Sequence, residues 1–211
     1  MNINLYVSYY KDKINERNLE LEQCLLGNLT NAAVDNVYLL AENTPPKRFR
    51  TNSKVTVIPH KRPTFTNFFN IVNDTTGAKD LNIVVNSDIY LPDNIADIHP
   101  HVSMDTVACM SRWELQSDGS LVQARGPRGD SQDAWMWRGK IREVDYSDFN
   151  LGVLGCDNRI AWEFMNVGYR LINPCETFKI AHVHNSKVRN YRYNDLNDKV
   201  SGPYQFVSHS A

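Results

Sequence analysis

No CxxC pair, no GxGxxG turn, no P-loop lysine motif and no long apolar run occurs in this 211-residue chain. Each absence excludes something. The four cysteines, Cys24, Cys109, Cys156 and Cys175, are widely spaced and read as reduced thiols, neither a disulfide frame nor a zinc site. The missing glycine loops argue against the usual dinucleotide oxidoreductases and kinases. No stretch approaches the roughly 20 apolar residues needed to span a bilayer. The opening MNINLYVSYYKDK lacks a basic start followed by an apolar run, so a secretory signal is not expected and the expected compartment is the cytoplasm. There is no basic excess either. With 23 basic and 24 acidic residues and a net charge of -1, nothing predicts nucleic-acid binding. Arg128-Gly129-Asp130-Ser131 spells an adhesion tetrapeptide, which is read as coincidence.

What is present is an ordinary globular composition, 42% hydrophobic and 22% charged, enough for a sizeable core. The first half alternates apolar strands and helices. Strands are predicted at 3–7, 37–41, 55–58 and 83–85. Leu21, Leu25 and Leu29 recur every fourth residue, and Phe65, Phe68, Phe69 and Val72 fall on one helical face behind Thr64 or Thr66 as N-cap. That order implies a parallel sheet flanked by helices, with ligands beyond the carboxyl ends of its strands. The second half reads as strands at 106–110, 134–137, 169–172 and 178–183. A hairpin turns at Ser117-Asp118-Gly119, and a helix over 158–167 ends at Gly168. One domain is expected: a nucleotide-binding half (1–91), an acceptor-binding half (92–190) and an irregular tail (191–211), with further domains conceivable beyond it.

Five clusters carry possible chemistry. In IVVNSDIYL an apolar strand runs into Asn86-Ser87-Asp88. A carboxylate at the tip of a buried strand is costly unless paired. A hard cation such as Mn²⁺ or Mg²⁺ would pair it, and a turn-capping role is the plain alternative. In FKIAHVHNSKVRNY, His182 and His184 are two apart and share a strand face, with Lys187 and Arg189 close by to balance diphosphate charge. An imidazole can complete a Mn²⁺ shell, although a single core histidine explains either one. In LGVLGCDNRIAWEF, Asp157 stands at a helix start as a simple N-cap or as a general base. In SQDAW, Asp133 could hydrogen-bond a sugar, and Trp135 and Trp137 could stack on sugar rings or fill the core. The strand ends Ser8, Tyr9 and Glu42, with Arg62, could form a base and ribose pocket.

Taken together, RPTFTNFF, VVNSDIYL, SQDAWMW, GCDNRIAWEF and HVHNS resemble the GT-A fold glycosyltransferases over nearly the whole chain. More narrowly, they are similar to the small GT-A domain of the chlorovirus enzymes that glycosylate the major capsid protein. The resemblance implies a Rossmann-like α/β fold, with a mixed, mostly parallel central sheet and a small β-hairpin subregion. It also implies Mn²⁺, a UDP-sugar donor (UDP-glucose or UDP-rhamnose), a glycan or glycoprotein acceptor, and the host cytoplasm as location. The family's DxD motif falls on Asn86-Ser87-Asp88, with Asn86 replacing the first acid. Its late metal-binding histidine falls on His182 or His184, and its acceptor-activating base on Asp157. The expected activity is metal-dependent, inverting transfer of a hexose or deoxyhexose, with Asp133 on donor hydroxyls or replacing Asp157. Three other readings stay open. A sugar nucleotidyltransferase would use a similar acidic metal site, a retaining transferase would not need Asp157 as base, and a carbohydrate-binding module would explain only the tryptophans.

Overall fold

The structure is a computed structural model that describes residues 1–123, 129–186 and 199–210. The first half is built as its hydrophobic periodicity predicts. It runs β1 (Ile3–Tyr9), α1 (Asn15–Thr30), β2 (Asn36–Ala41), α2 (Lys47–Arg50), β3 (Val55–Pro59), α3 (Phe65–Thr75) and β4 (Leu81–Val85). The second half follows with β5 (Ile89–Tyr90), a 3₁₀ segment (Asp93–Ile98), β6 (Thr106–Met110), β7 (Trp113–Leu115), β8 (Leu121–Gln123), β9 (Ala134–Arg138), α4 (Cys156–Asn166), β10 (Arg170–Ile172) and β11 (Ala181–His182).

Seven strands form one sheet in the order β10-β6-β9-β4-β1-β2-β3, and four short strands form a second, β5-β11-β7-β8. All pairs in the large sheet are parallel except those made by β9, which runs antiparallel to both β4 and β6. The central sheet therefore draws strands from both halves of the chain. The β7–β8 hairpin is the small β subregion, with Trp113 paired to Gln123. This mixed, mostly parallel sheet flanked by helices is the Rossmann-like arrangement that the sequence predicts.

Each face of the sheet carries its own core. Ile3, Leu5 and Val7 of β1 pack with Leu25 and Leu29 of α1, whereas Tyr6 turns to the other face with Phe65, Phe68 and Phe69 of α3 and Phe164 of α4. Every residue of β4 is buried, as expected of a strand covered on both sides. α3 starts where Thr64 and Asn67 exchange hydrogen bonds in a capping box, which satisfies donors that the helix leaves free.

The structure revises several sequence expectations. Trp135 and Trp137 are both fully buried, each meeting a phenylalanine edge-to-face: Phe65 at 4.9 Å and Phe69 at 5.7 Å between centroids. β9 is an inner strand with helices or core on both faces, so neither indole offers a face to a sugar. The strand expected over 178–183 contracts to Ala181–His182, because only those residues pair with β5 and β7. α4 begins at Cys156, two residues earlier than expected, behind Gly155 as N-cap. Gly155 has φ 80°, a left-handed conformation that side chains rarely adopt, and a Cβ there would come within 3.1 Å of the Val200 carbonyl. α2 and the 3₁₀ segment arise in stretches for which no helix was expected.

Candidate active site

One cleft of about 700 Å³ opens at the carboxyl ends of β1, β2 and β4. Such an edge is where open α/β sheets bind their ligands. Ser8, Glu42, Arg62, Asn86, Ser87, Asp88, Asp133, Asp157, His182 and His184 all border it. Residues as far apart in sequence as Ser8 and His184 meet there through the fold. Three residues named beforehand fare differently. Tyr9, partly buried, packs against the edge of the core, and Tyr10 borders the cleft instead. Trp135 lies beneath the site, fully buried. Lys187, like Arg189, lies outside the described residues.

Asp88 stands in the turn between β4 and β5, closed by Ile89 N–H donating to the Asn86 carbonyl at 3.1 Å. β11 lies antiparallel to β5 with His182 opposite Ile89, which delivers the imidazole to the carboxylate. His182 Nε2 is 3.2 Å from Asp88 Oδ2, and His182 Nδ1 donates to Glu114 Oε2 at 2.5 Å. His184 stacks on His182 with centroids 5.4 Å apart. One donor atom from each of Asp88, His182 and His184 lies within 4.8 Å of the others.

Arg17, from the first turn of α1, closes the group. Its guanidinium donates to Asp88 Oδ2 at 2.5 Å, to His184 Nδ1 at 3.0 Å and to Glu20 at 2.9 Å. Burial alone would raise the Asp88 carboxyl, but His182 and Arg17 hold it well below the usual carboxylate range. Burial would likewise lower His182, yet its hydrogen bonds to Asp88 and Glu114 raise it. His184 is lowered, by burial and then by Arg17, in keeping with an Nδ1 that accepts from the guanidinium.

These residues fit a divalent cation. Glu114 fixes the proton of His182 on Nδ1, so loss of the Nε2 proton leaves a lone pair directed at Asp88. That is the carboxylate–histidine–metal arrangement in which an outer carboxylate sets the ligand's tautomer. His184 accepts from Arg17 on Nδ1, so in the neutral ring Nδ1 holds the lone pair that a cation would use, while Nε2 is buried with no hydrogen-bond partner among the described residues. One carboxylate and two imidazoles form a donor set suited to Mn²⁺.

Asn86, in the place of a first acid, has a distinct job. Its Nδ2 donates to Asp133 Oδ1 at 2.8 Å, and its backbone N–H donates to the Asp133 carbonyl at 3.0 Å. A carboxylate at position 86 would repel Asp133, whereas the amide holds it. Asp133 also accepts two bonds from Arg112, at 2.9 and 3.1 Å. A carboxylate so paired is a well-fixed acceptor.

Asp157 is placed differently. It is the second residue of α4, not its N-cap. Its two oxygens each accept one backbone N–H, from Asn158 at 2.9 Å and from Gln132 at 3.2 Å. A carboxylate has about four acceptor positions, so capacity remains on both oxygens. Burial, then the charge of Asp133, pushes its pKa up to about 7. It is the only carboxyl among the described residues with a resolved upward shift, and it faces the cleft.

The residues that sequence reasoning missed are Arg17, Glu20, Arg112 and Glu114. Arg17 lies in the polar run KDKINERN with nothing to distinguish it. Glu114 and Arg112 belong to a hairpin whose approach to His182 depends on the second sheet. The tail also contributes. Lys199, Tyr204, Phe206 and His209 border the cleft, and Phe206 is 58% exposed. Backbone bonds hold this segment, from Val200 N–H to the Leu154 carbonyl and from Gln205 N–H to the Asn158 carbonyl.

No protein-family model matches the chain, and no curated protein matches it in sequence. Solved structures do. GalNAc-T7 with UDP, GalNAc and Mn²⁺ superposes with a TM-score of 0.57 at 9% identity, over 96% of this chain and 46% of that one. The mannosyltransferase PcManGT from Pyrobaculum calidifontis, with GDP-Man and Mn²⁺, gives 0.55 at 12% identity, over 90% of this chain and 58% of that one. Both are GT-A glycosyltransferases, and at these identities the likeness establishes the GT-A fold. The chain spans about half the length of these two proteins. No helix among the described residues is long and apolar enough to cross a membrane.

Proposed function

We propose that this chain is a metal-dependent glycosyltransferase that moves a hexose or deoxyhexose from a UDP-sugar to a glycan or glycoprotein acceptor with inversion. One observation carries the reading. A single cleft holds both a cation-competent group, Asp88, His182 and His184, and a carboxyl of raised proton affinity, Asp157. Two structural neighbours carry a nucleotide or nucleotide-sugar with Mn²⁺ on the same fold, which supports the donor class.

A divalent cation bound by Asp88 and the histidines would supply charge neutralisation for the departing diphosphate. The chain's own residues do the rest. Glu114 orients His182. Asn86 and Arg112 fix Asp133, whose remaining acceptor capacity suits a donor-sugar hydroxyl. Ser8, Glu42 and Arg62 border the part of the cleft assigned to base, ribose and phosphate. Asp157 takes the proton of the acceptor hydroxyl as that oxygen attacks the anomeric carbon. A base whose pKa lies near the working pH suits this step. UDP-glucose and UDP-rhamnose are the proposed donors, and a glycan on a capsid protein in the cytoplasm of an infected cell is the proposed setting.

The test is a donor panel, UDP-glucose and UDP-rhamnose among them, assayed for UDP release with and without Mn²⁺, with the product anomer read by NMR. The reading requires Mn²⁺-dependent UDP release and an inverted anomer. Pyrophosphate release from a nucleoside triphosphate would instead make it a sugar nucleotidyltransferase. A retained anomer would remove Asp157 from the base role.

A further inference from the structure

We propose that Arg17 is a resident counter-ion in the Asp88 site, one that a divalent cation must displace in order to bind. The inference rests on reading Asp88, His182 and His184 as that cation's ligands. Arg17 is an odd residue for its position. It lies in the first turn of α1, the positive end of the helix dipole, where a cation is disfavoured. Its side chain is nevertheless 7% exposed and makes four hydrogen bonds, to Asp88, His184, Glu20 and the Val183 carbonyl at 3.3 Å.

A guanidinium only donates. Its bonds to Asp88 Oδ2 and His184 Nδ1 therefore occupy lone pairs on both atoms. These belong to two of the three side chains that would have to bind a cation. Asp88 is the only acid of the three, so the guanidinium also cancels the charge that would draw a cation in. His184 Nδ1 has one lone pair, which Arg17 and a bound cation cannot share; Asp88 keeps acceptor capacity, but its charge is already balanced by the guanidinium. Arg17 borders the cleft, and a diphosphate there is a multivalent acceptor that would hold the guanidinium once displaced. Cation alone should thus bind weakly, and cation with nucleotide diphosphate should bind far better.

The experiment is a Mn²⁺ titration followed by the free-ion EPR signal, on the whole chain, with and without UDP. Wild type should bind Mn²⁺ weakly alone and tightly with UDP. Arg17→Gln should bind Mn²⁺ alone at least tenfold more tightly than wild type. Arg17→Lys keeps a charge beside Glu20 but cannot bridge Asp88 and His184, so it should gain several-fold. If Arg17→Gln does not fold, Arg17→Lys decides. Equal or weaker Mn²⁺ affinity in the folded variants, with the wild-type Mn²⁺–UDP complex intact, would overturn the inference while sparing the metal site. Failure of wild type to bind Mn²⁺ even with UDP would overturn the site assignment and this inference together.

Discussion

Replacing Asp157 with Asn should make the protein more stable above pH 7 and nearly inactive. The sign follows from the direction of the shift. The carboxyl has an ordinary value of 3.8 and is pushed up to about 7 in the fold, first by burial and then by Asp133. The native state therefore binds the proton more tightly than the unfolded chain does. Stability from this group is fully present below about pH 4, is lost as pH rises toward 7, and stays lost above it. Three pH units correspond to about 4 kcal/mol as an upper bound. Partial exposure at the cleft reduces the figure. The amide also brings a cost of its own, because both Asp157 oxygens accept backbone N–H groups and one would face an NH₂. A net gain of about 1–2 kcal/mol at pH 8 remains, or roughly 2–8 °C in Tm for a chain of this size. At pH 4 the gain should vanish. Thermal unfolding across pH 4–8 measures it, and UDP release from the donor measures the loss of transfer, expected at about 100-fold or more for a lost general base. Full transfer activity, or a Tm difference that does not depend on pH, would refute the reasoning.

Other variants probe the rest of the cleft. Glu114→Gln should weaken Mn²⁺ binding in the presence of UDP by about 10- to 100-fold, since it loosens the orientation of His182; isothermal titration reads this. Trp135→Ala should cost about 3–5 kcal/mol in chemical denaturation, because the indole is core and not a sugar platform. Thr64→Ala should cost about 1 kcal/mol through loss of the α3 cap, with donor KM unchanged. In wild type, kcat/KM should rise with pH through about 7 as Asp157 loses its proton.

The sheet was legible in the sequence because its signals are local. Short apolar runs made β1 to β4, and the period of Phe65, Phe68, Phe69 and Val72 made α3. Asp88, Asp157 and the two histidines were legible as polar residues at the ends of apolar elements. Three kinds of feature were not. Strand position was one: β9 lies between β6 and β4 in the sheet interior, and nothing in AWMW specifies that, so its tryptophans could be read as exposed. Side-chain direction at a strand end was another, which is why Tyr9 was named where Tyr10 lines the cleft. Partners from distant elements were the third. Arg17 meets Asp88 across 71 residues, and Glu114 meets His182 across 68, through packing that no short window encodes.

The central claim concerns where a cation binds. Crystals grown with UDP and Mn²⁺, with data collected at the manganese absorption edge, test it most directly. The account predicts one anomalous peak within coordination distance of Asp88 and of His182 or His184, touching the diphosphate, with Arg17 drawn away from Asp88. UDP bound with no peak there, and Arg17 still on Asp88, would contradict it.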